Sequence, residues 1–316
     1  MRQRRDVDGF YSPISRLAGE PRMPPRVAIL SIPTGKKVCA GKNISIINEI
    51  NVRWFEELGV DVIPVNFVDC DVEAVMKECS GLYLQGGPNH DARYVALVHR
   101  FMEEAMRVNW PIWGTCHGFQ CMIRVLFGHL SKFNCLRYRT RLEPVPEWKR
   151  SRMLAKADNF AIEDLESADG VVFNNQYGLA VEDFYDPIAD VKDIFCLVAT
   201  AKDRDGKELV AAVEGKRYPF YGVQFHPEKM EGAGGIWLRK FFVGELVKNQ
   251  SQSQWQRQRQ IQPSLPPFGQ RFTRKKCRSL RRKYGKEHAT IFSGKHCYFF
   301  DSRGTRRKRG CIRPKI

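Results

Sequence analysis

Apolar positions in the first half of the chain fall into short continuous runs, separated by segments with helical spacing. The run 26–32, RVAILSI, is closed by Pro33 and Gly35, the pattern of a strand buried on both faces. Over 43–58, Ile44, Ile47, Ile50, Trp54, Phe55 and Leu58 recur at helical spacing, and Gly59 ends the predicted helix. A strand follows over 60–67, a short helix over 71–79, and a strand over 81–87 that runs into Gly86-Gly87. A helix over 93–108, a strand over 110–115 and a helix over 118–128 complete the alternation. The second half offers strands at 170–175, 195–201, 208–215 and 220–225, separated by turn-rich segments, then an amphipathic helix over 235–247. Strand–helix alternation followed by clustered strands predicts an α/β fold: three layers and a mostly parallel central sheet with antiparallel additions.

Composition divides the chain. Its 316 residues are 43% apolar and carry a formal net charge of +17. Residues 1–249 hold 33 Lys and Arg against 33 Asp and Glu, whereas 250–316 hold 19 against 2. The basicity is therefore a property of the tail, whose Gln, Ser, Pro and Arg content predicts a disordered segment without its own core. The expected organisation is a leader over 1–25, a catalytic domain over 26–248 and a basic tail over 249–316. No run of 18 apolar residues occurs, so no membrane-crossing helix is expected. The basic opening has no apolar stretch behind it, which as it stands argues for the cytoplasm. The ten Cys contain no CxxC pair and no zinc spacing, and read mostly as buried free thiols.

Gly114-Thr115-Cys116-His117-Gly118 lies between a predicted strand and a predicted helix, the context of a nucleophile elbow. Flanking glycines permit the tight turn, and the N-terminus of the following helix favours a thiolate at Cys116. A buried structural Cys in a turn fits the same motif. His226-Pro227-Glu228 follows the strand 220–225. In an extended segment Glu228 lies on the same side as His226 and orients it as base and acid for Cys116. Gly86-Gly87 ends a third strand, so the backbone N–H groups of Gly87 and His117 are the natural oxyanion donors.

Together G-T-C-x-G-F, the strand ending in Gly-Gly, Ser151-Arg152-Met153, NNQYGLAVEDF (174–184) and Y-P-x-Y-G-V-Q-x-H-P-E-K resemble the γ-glutamyl hydrolase family. That family is the folylpolyglutamate hydrolase branch of the class I glutamine amidotransferase superfamily. The resemblance runs from about Arg26 to Phe242 and is strongest over 195–229. It implies a flavodoxin-like fold, Cys116 as nucleophile, His226 as general base and Glu228 as orienting carboxylate. It also implies an acyl-enzyme route, no metal or organic cofactor, and a folylpoly-γ-glutamate as small-molecule substrate. Family members are often homodimers and are typically lysosomal, vacuolar or secreted.

Gly86, Asn175, Gln120 and Arg152 are the implied substrate-binding residues. Two of these depart from the pattern. Asn175 stands where the hydrolases usually have a His, and Gln120 stands in C-H-G-F-Q where they usually have Glu, as amidotransferases tend to. An anionic glutamate tail suits a cationic rim, for which Arg137, Arg139, Arg141, Lys149 and Arg150 are further candidates, although a solvated basic loop explains each of them as well. The alternatives are a glutaminase-type amidotransferase that passes ammonia to a partner, and a weakly active core whose basic tail binds nucleic acid or other polyanions nonspecifically.

Overall fold

A computed structural model describes residues 23–33, 45–88, 91–186, 191–251, 288–293 and 296–301. The predicted leader up to residue 22, and the tail beyond residue 251 apart from one ribbon, lie outside the described residues. The chain opens with β1 (Arg26–Leu30) and a short antiparallel pair, β2 (Ile32–Pro33) with β3 (Ser45–Ile46). There follow α1 (Glu49–Glu56), β4 (Asp61–Val65), α2 (Val72–Glu78), β5 (Gly81–Leu84), α3 (Ala92–Val108), β6 (Ile112–Thr115) and α4 (His117–Leu126). The second half contains β7 (Ser131–Thr140), β8 (Glu143–Pro144), α5 (Asn159–Glu166), β9 (Val171–Gly178), α6 (Val181–Phe184) and α7 (Val191–Ile194). It closes with β10 (Phe195–Lys202), β11 (Glu208–Gly215), β12 (Phe220–Val223) and α8 (Ala233–Ser251).

The main sheet has eight strands among the described residues, in the order β4-β1-β5-β6-β12-β11-β10-β8. The first five are parallel, and β11, β10 and β8 add to the β12 side in antiparallel fashion. Alternate residues of β1 and β5 serve the two faces, as the strand period requires. Leu30, Leu82 and Leu84 pack with Tyr94, Val98 and Phe101 of α3 and Met122 of α4. Ile29, Tyr83 and Trp113 pack on the other face with Trp54 and Phe55 of α1 and Phe242 of α8. The sheet is thus the middle of three layers. The second face is an aromatic cluster, with Trp54–Phe55 ring centroids 5.0 Å apart and Trp113–Phe242 5.4 Å apart. Such pairs add about 0.5–1.5 kcal/mol each beyond simple burial.

Three sequence expectations change. The helix expected from residue 43 begins at Glu49, because Ser45–Ile46 pair with β2 and Asn48 takes an extended N-cap conformation (φ −74°, ψ 130°). The strand expected at 170–175 is β9, which leaves the main sheet and pairs instead with β7. Strand β7 covers a segment that reads as a basic loop, because a bulge between Cys135 and Tyr138 breaks its alternation and leaves Leu136 exposed. Among the described residues of the tail, β13 (His288–Ser293) and β14 (His296–Asp301) pair as an antiparallel ribbon. Both strands are rich in β-branched and aromatic residues, the composition that favours extended chain.

The consequence for function is positional. β5, β6 and β12 are neighbours and run parallel, so their carboxyl ends open on one edge of the sheet. Gly86-Gly87, Cys116 and His226 each lie just beyond one of those ends.

Candidate active site

Cys116 sits between β6 and α4 with φ 49° and ψ −101°, a conformation that non-glycine residues rarely adopt. Such a backbone costs of order 1–3 kcal/mol and persists only where its surroundings dictate it. Here the Cys116 N–H donates to the Val223 carbonyl at 2.7 Å, and its own carbonyl accepts the Gln120 N–H at 2.9 Å. The first bond ties the elbow to β12, the strand that delivers His226. Gly118 lets the first turn of α4 press onto β5, since a Cβ there would collide with the Leu84 carbonyl oxygen. The thiol itself is nearly enclosed.

His226 follows β12, with its N–H bound to the Val172 carbonyl of β9 at 2.8 Å. Its Nδ1 lies 2.6 Å from Glu228 Oε1, and both side chains are buried. The expected contact is therefore present, but by another route. Residues Pro227–Lys229 form a single 3-10 turn rather than extended chain, because Pro227 sets a helical φ at its first position. Gly86 joins the two halves: a Cβ there would lie 2.7 Å from His226 Cε1 and 3.6 Å from Cys116 Cβ. Only a glycine fits in that gap.

The electrostatics follow from this enclosure. Burial opposes a charged imidazole, but the neighbouring Cys116 and Glu228, by charge and by hydrogen bonding, outweigh it and raise the His226 pKa to about 10. With Nδ1 engaged by Glu228, Nε2 is the nitrogen left to face Cys116, and Glu228 Oε2 closes no hydrogen bond among the described residues. Burial pushes the Cys79, Cys121 and Cys135 thiols up to about 12 and that of Cys70 to about 11. Those four are packing groups at neutral pH, as the sequence suggested.

The remaining predicted residues divide. Gly87 backs onto Ile32, which a Cβ at this position would strike. The backbone N–H of His117 belongs to the first turn of α4, while its ring packs beside Tyr94 and 3.5 Å from Cys121 Sγ. Gln120 is buried one turn along α4 from Cys116, and its Nε2 donates to the Tyr177 carbonyl at 2.5 Å. Asn175 Nδ2 donates to the same carbonyl at 3.0 Å, which brings both departures from the hydrolase pattern to one spot.

Arg152 is not at this edge. Its guanidinium donates to the carbonyls of Gly215 and Tyr218 and stacks over Tyr221, 5.3 Å from the ring centroid. Those carbonyls lie in the turn before β12, at the opposite end of the strand from His226. The Glu214 carboxylate holds the backbone N–H groups of Arg152 and Met153 at 3.1 and 3.0 Å. Arg152 is a structural clamp, and the correction follows from strand direction, which a motif cannot reveal. Arg137, Arg139, Arg141, Lys149 and Arg150 are all at least partly exposed, the first two on β7.

Sequence reading missed Gln224. It is fully buried and accepts from Gln120 Nε2 at 3.2 Å, while its own Nε2 has no partner among the described residues. A single amide inside the apolar run FYGVQF is the signal, because a buried amide must find partners or face a ligand. Among the described residues no group of three or more His, Cys, Asp or Glu could hold a metal ion, and no helix is long and apolar enough to cross a membrane.

The family model Glutamine amidotransferase class-I matches residues 43–244. Gamma-glutamyl hydrolase B of Dictyostelium discoideum is 26% identical over 191 residues, covering 56% of this chain and 55% of that protein. The chain thus spans about half the length of that relative. Gamma-glutamyl hydrolase of Homo sapiens is 27% identical over 266 residues, covering 75% of this chain and 82% of the human protein. A solved Thermoplasma acidophilum structure, described as a GMP synthase component, superimposes with a TM-score of 0.51 at 20% identity. The match covers 72% of this chain and 96% of the Thermoplasma one, a likeness of fold alone.

Proposed function

The chain belongs to the Glutamine amidotransferase class-I family, and we propose that within it the protein is a cysteine hydrolase of γ-glutamyl amide bonds in folylpoly-γ-glutamates. The observation that carries this reading is the convergence over Gly86 of a strained Cys116 and a His226 paired with Glu228 at 2.6 Å. The reacting form in this reading is a thiolate–imidazolium pair, because a thiolate is the nucleophile, and the raised pKa of His226 keeps the imidazole protonated.

In the proposed cycle Cys116 Sγ attacks the γ-carbonyl carbon, and the C–S bond forms as the carbonyl oxygen gains negative charge. The backbone N–H groups of Gly87 and His117 receive that oxyanion. His226 gives its proton to the departing nitrogen, the C–N bond breaks, and the shortened folate or released glutamate leaves. Water, losing a proton to His226, then attacks the thioester, and C–S cleavage restores the pair. Glu228 keeps Nδ1 engaged, so Nε2 is the nitrogen that exchanges protons. Gly86, Gln120 and Asn175 contact the γ-glutamyl group, with Asn175 supplying hydrogen bonds but no titrating proton.

Gln120 favours one second reading, a glutaminase that releases ammonia from free glutamine for a partner. One experiment separates the two. Purified protein and Cys116→Ala are given folate pentaglutamate and, separately, glutamine, with product lengths read by mass spectrometry and ammonia by a coupled assay. Shortened folates from the native protein alone support the hydrolase. Ammonia without folate cleavage replaces it with the glutaminase, and neither product from folded protein rejects both.

A further inference from the structure

We propose that Gln85 is a positioning residue, which sets the Gly86-Gly87 turn against Cys116 through a buried polar chain ending at Thr115. The inference rests on the reading above for the roles of Gly87 and Cys116, and not for the identity of the substrate. Gln85 is fully buried at the end of β5, one peptide before Gly86. An amide so placed has two acceptor and two donor positions to satisfy, and all four are met. Its Oε1 accepts the Asn48 N–H and Asn51 Nδ2, each at 3.0 Å. Its Nε2 donates to the Leu30 and Ile46 carbonyls, each at 3.0 Å. Three of those partners are main-chain groups whose polarity is not in question, so the amide can sit only one way round.

These bonds fix two things about the turn. First, Ile46 pairs in register with Ile32, and Ile32 is the side chain that backs Gly87. By holding the Ile46 carbonyl, Gln85 holds the wall behind the proposed oxyanion donor. Second, the chain continues toward the nucleophile. Asn51 Oδ1 accepts the Tyr83 hydroxyl at 3.1 Å. Complete burial, reinforced by the charge of Glu228, keeps Tyr83 neutral and so a donor at working pH. The Thr115 hydroxyl interacts with that phenol and accepts Trp113 Nε1 at 3.0 Å. Thr115 is the residue before Cys116. One end of the chain is therefore a single peptide from the Gly86-Gly87 turn, and the other a single peptide from the thiol. A fully satisfied buried network of this kind is rigid, and rigidity is what an oxyanion donor needs relative to its nucleophile.

The test compares Gln85→Met, Tyr83→Phe and the double variant of the full chain in two reactions of Cys116. Alkylation by iodoacetamide needs only the thiolate. Acylation by p-nitrophenyl acetate, in which the C–S bond forms and p-nitrophenolate leaves, also needs the oxyanion donors. Gln85→Met should slow acylation by about tenfold or more and leave alkylation within about twofold. Tyr83→Phe should act in the same direction, and the double variant should be about as slow as the slower single, because both break one chain. On a γ-glutamyl substrate kcat should fall more than KM changes. Unchanged acylation, acylation and alkylation falling together, or an effect confined to KM would each overturn the inference. So would a native protein that p-nitrophenyl acetate does not acylate. If Gln85→Met does not fold, Tyr83→Phe decides the matter on the same readouts. Neither reagent is a folate or glutamine, so failure to cleave folate pentaglutamate sinks the substrate reading and leaves this test standing.

Discussion

Gly86→Ala tests the convergence of the site with a single methyl group. The new Cβ would lie 2.7 Å from His226 Cε1, 3.3 Å from His226 Nδ1 and 3.6 Å from Cys116 Cβ. Non-bonded carbons rest at about 3.5–4.0 Å, so one side must yield by roughly 1 Å. The imidazole has little room to do so. It is buried, and Nδ1 is held by Glu228 at 2.6 Å. The Cys116 side is tied to β12 through Val223. Overpacking of this kind costs about 1–3 kcal/mol of stability. A misplacement of about 1 Å in a reacting group costs about 10²-fold in rate, equivalent to roughly 2.7 kcal/mol. The assay is kcat/KM on folate pentaglutamate beside a thermal melt. A folded variant that retains activity within about threefold of the native protein would falsify the claim that Cys116 and His226 meet over Gly86.

Other expectations follow from the same structure. His226 should stay protonated through neutral pH in the native protein, as followed by its imidazole proton resonances. In Cys116→Ala its midpoint should fall, because burial continues to oppose the charge while one of the groups that raises it is gone. The stability linked to this shift is fully present below about pH 6.5, the unfolded value, and is lost as pH rises through about 10; denaturant midpoints that improve over that window would contradict it. Arg152→Ala should lower stability by about 1 kcal/mol through lost carbonyl contacts and stacking and leave KM unchanged; a raised KM would return Arg152 to the substrate. Gly118→Ala should fail to fold or lose about 3 kcal/mol or more, since its Cβ meets main chain. Gly244→Ala, in open space within α8, should gain about 0.5–1 kcal/mol, and a loss in its melt would show that the helix is packed more tightly there than the structure indicates.

Much of this molecule was legible in one dimension. Five parallel strands of the main sheet and the helices between them follow from apolar runs and helical spacing: in β1, β5, β6 and β12 burial on both faces leaves a strand no polar alternative, and the edge strand β4 is marked by its β-branched residues. The meeting of Cys116, His226 and Glu228 as a candidate site was legible for a related reason. Each sits where a strand stops, and chain chemistry at a strand end is local: glycines for the elbow, proline for the turn. Strand β7 was illegible because its bulge shifts the period from one face to the other, so exposed Leu136 and Arg137 interrupt the alternation.

What the sequence determined, then, is most of the elements and which side chains are candidates for chemistry, since both depend on neighbours a few residues away. What only the tertiary structure decided is direction and adjacency. Arg152 belongs to a conspicuous motif yet lies at the wrong end of β12, and Gln85 belongs to no motif yet joins β1, β3, α1 and β5. A hydrogen bond between residues 34 positions apart, like that of Asn51 to Gln85, leaves no periodicity to read. It exists because the sheet order places those segments side by side and burial forces each polar group to find a partner.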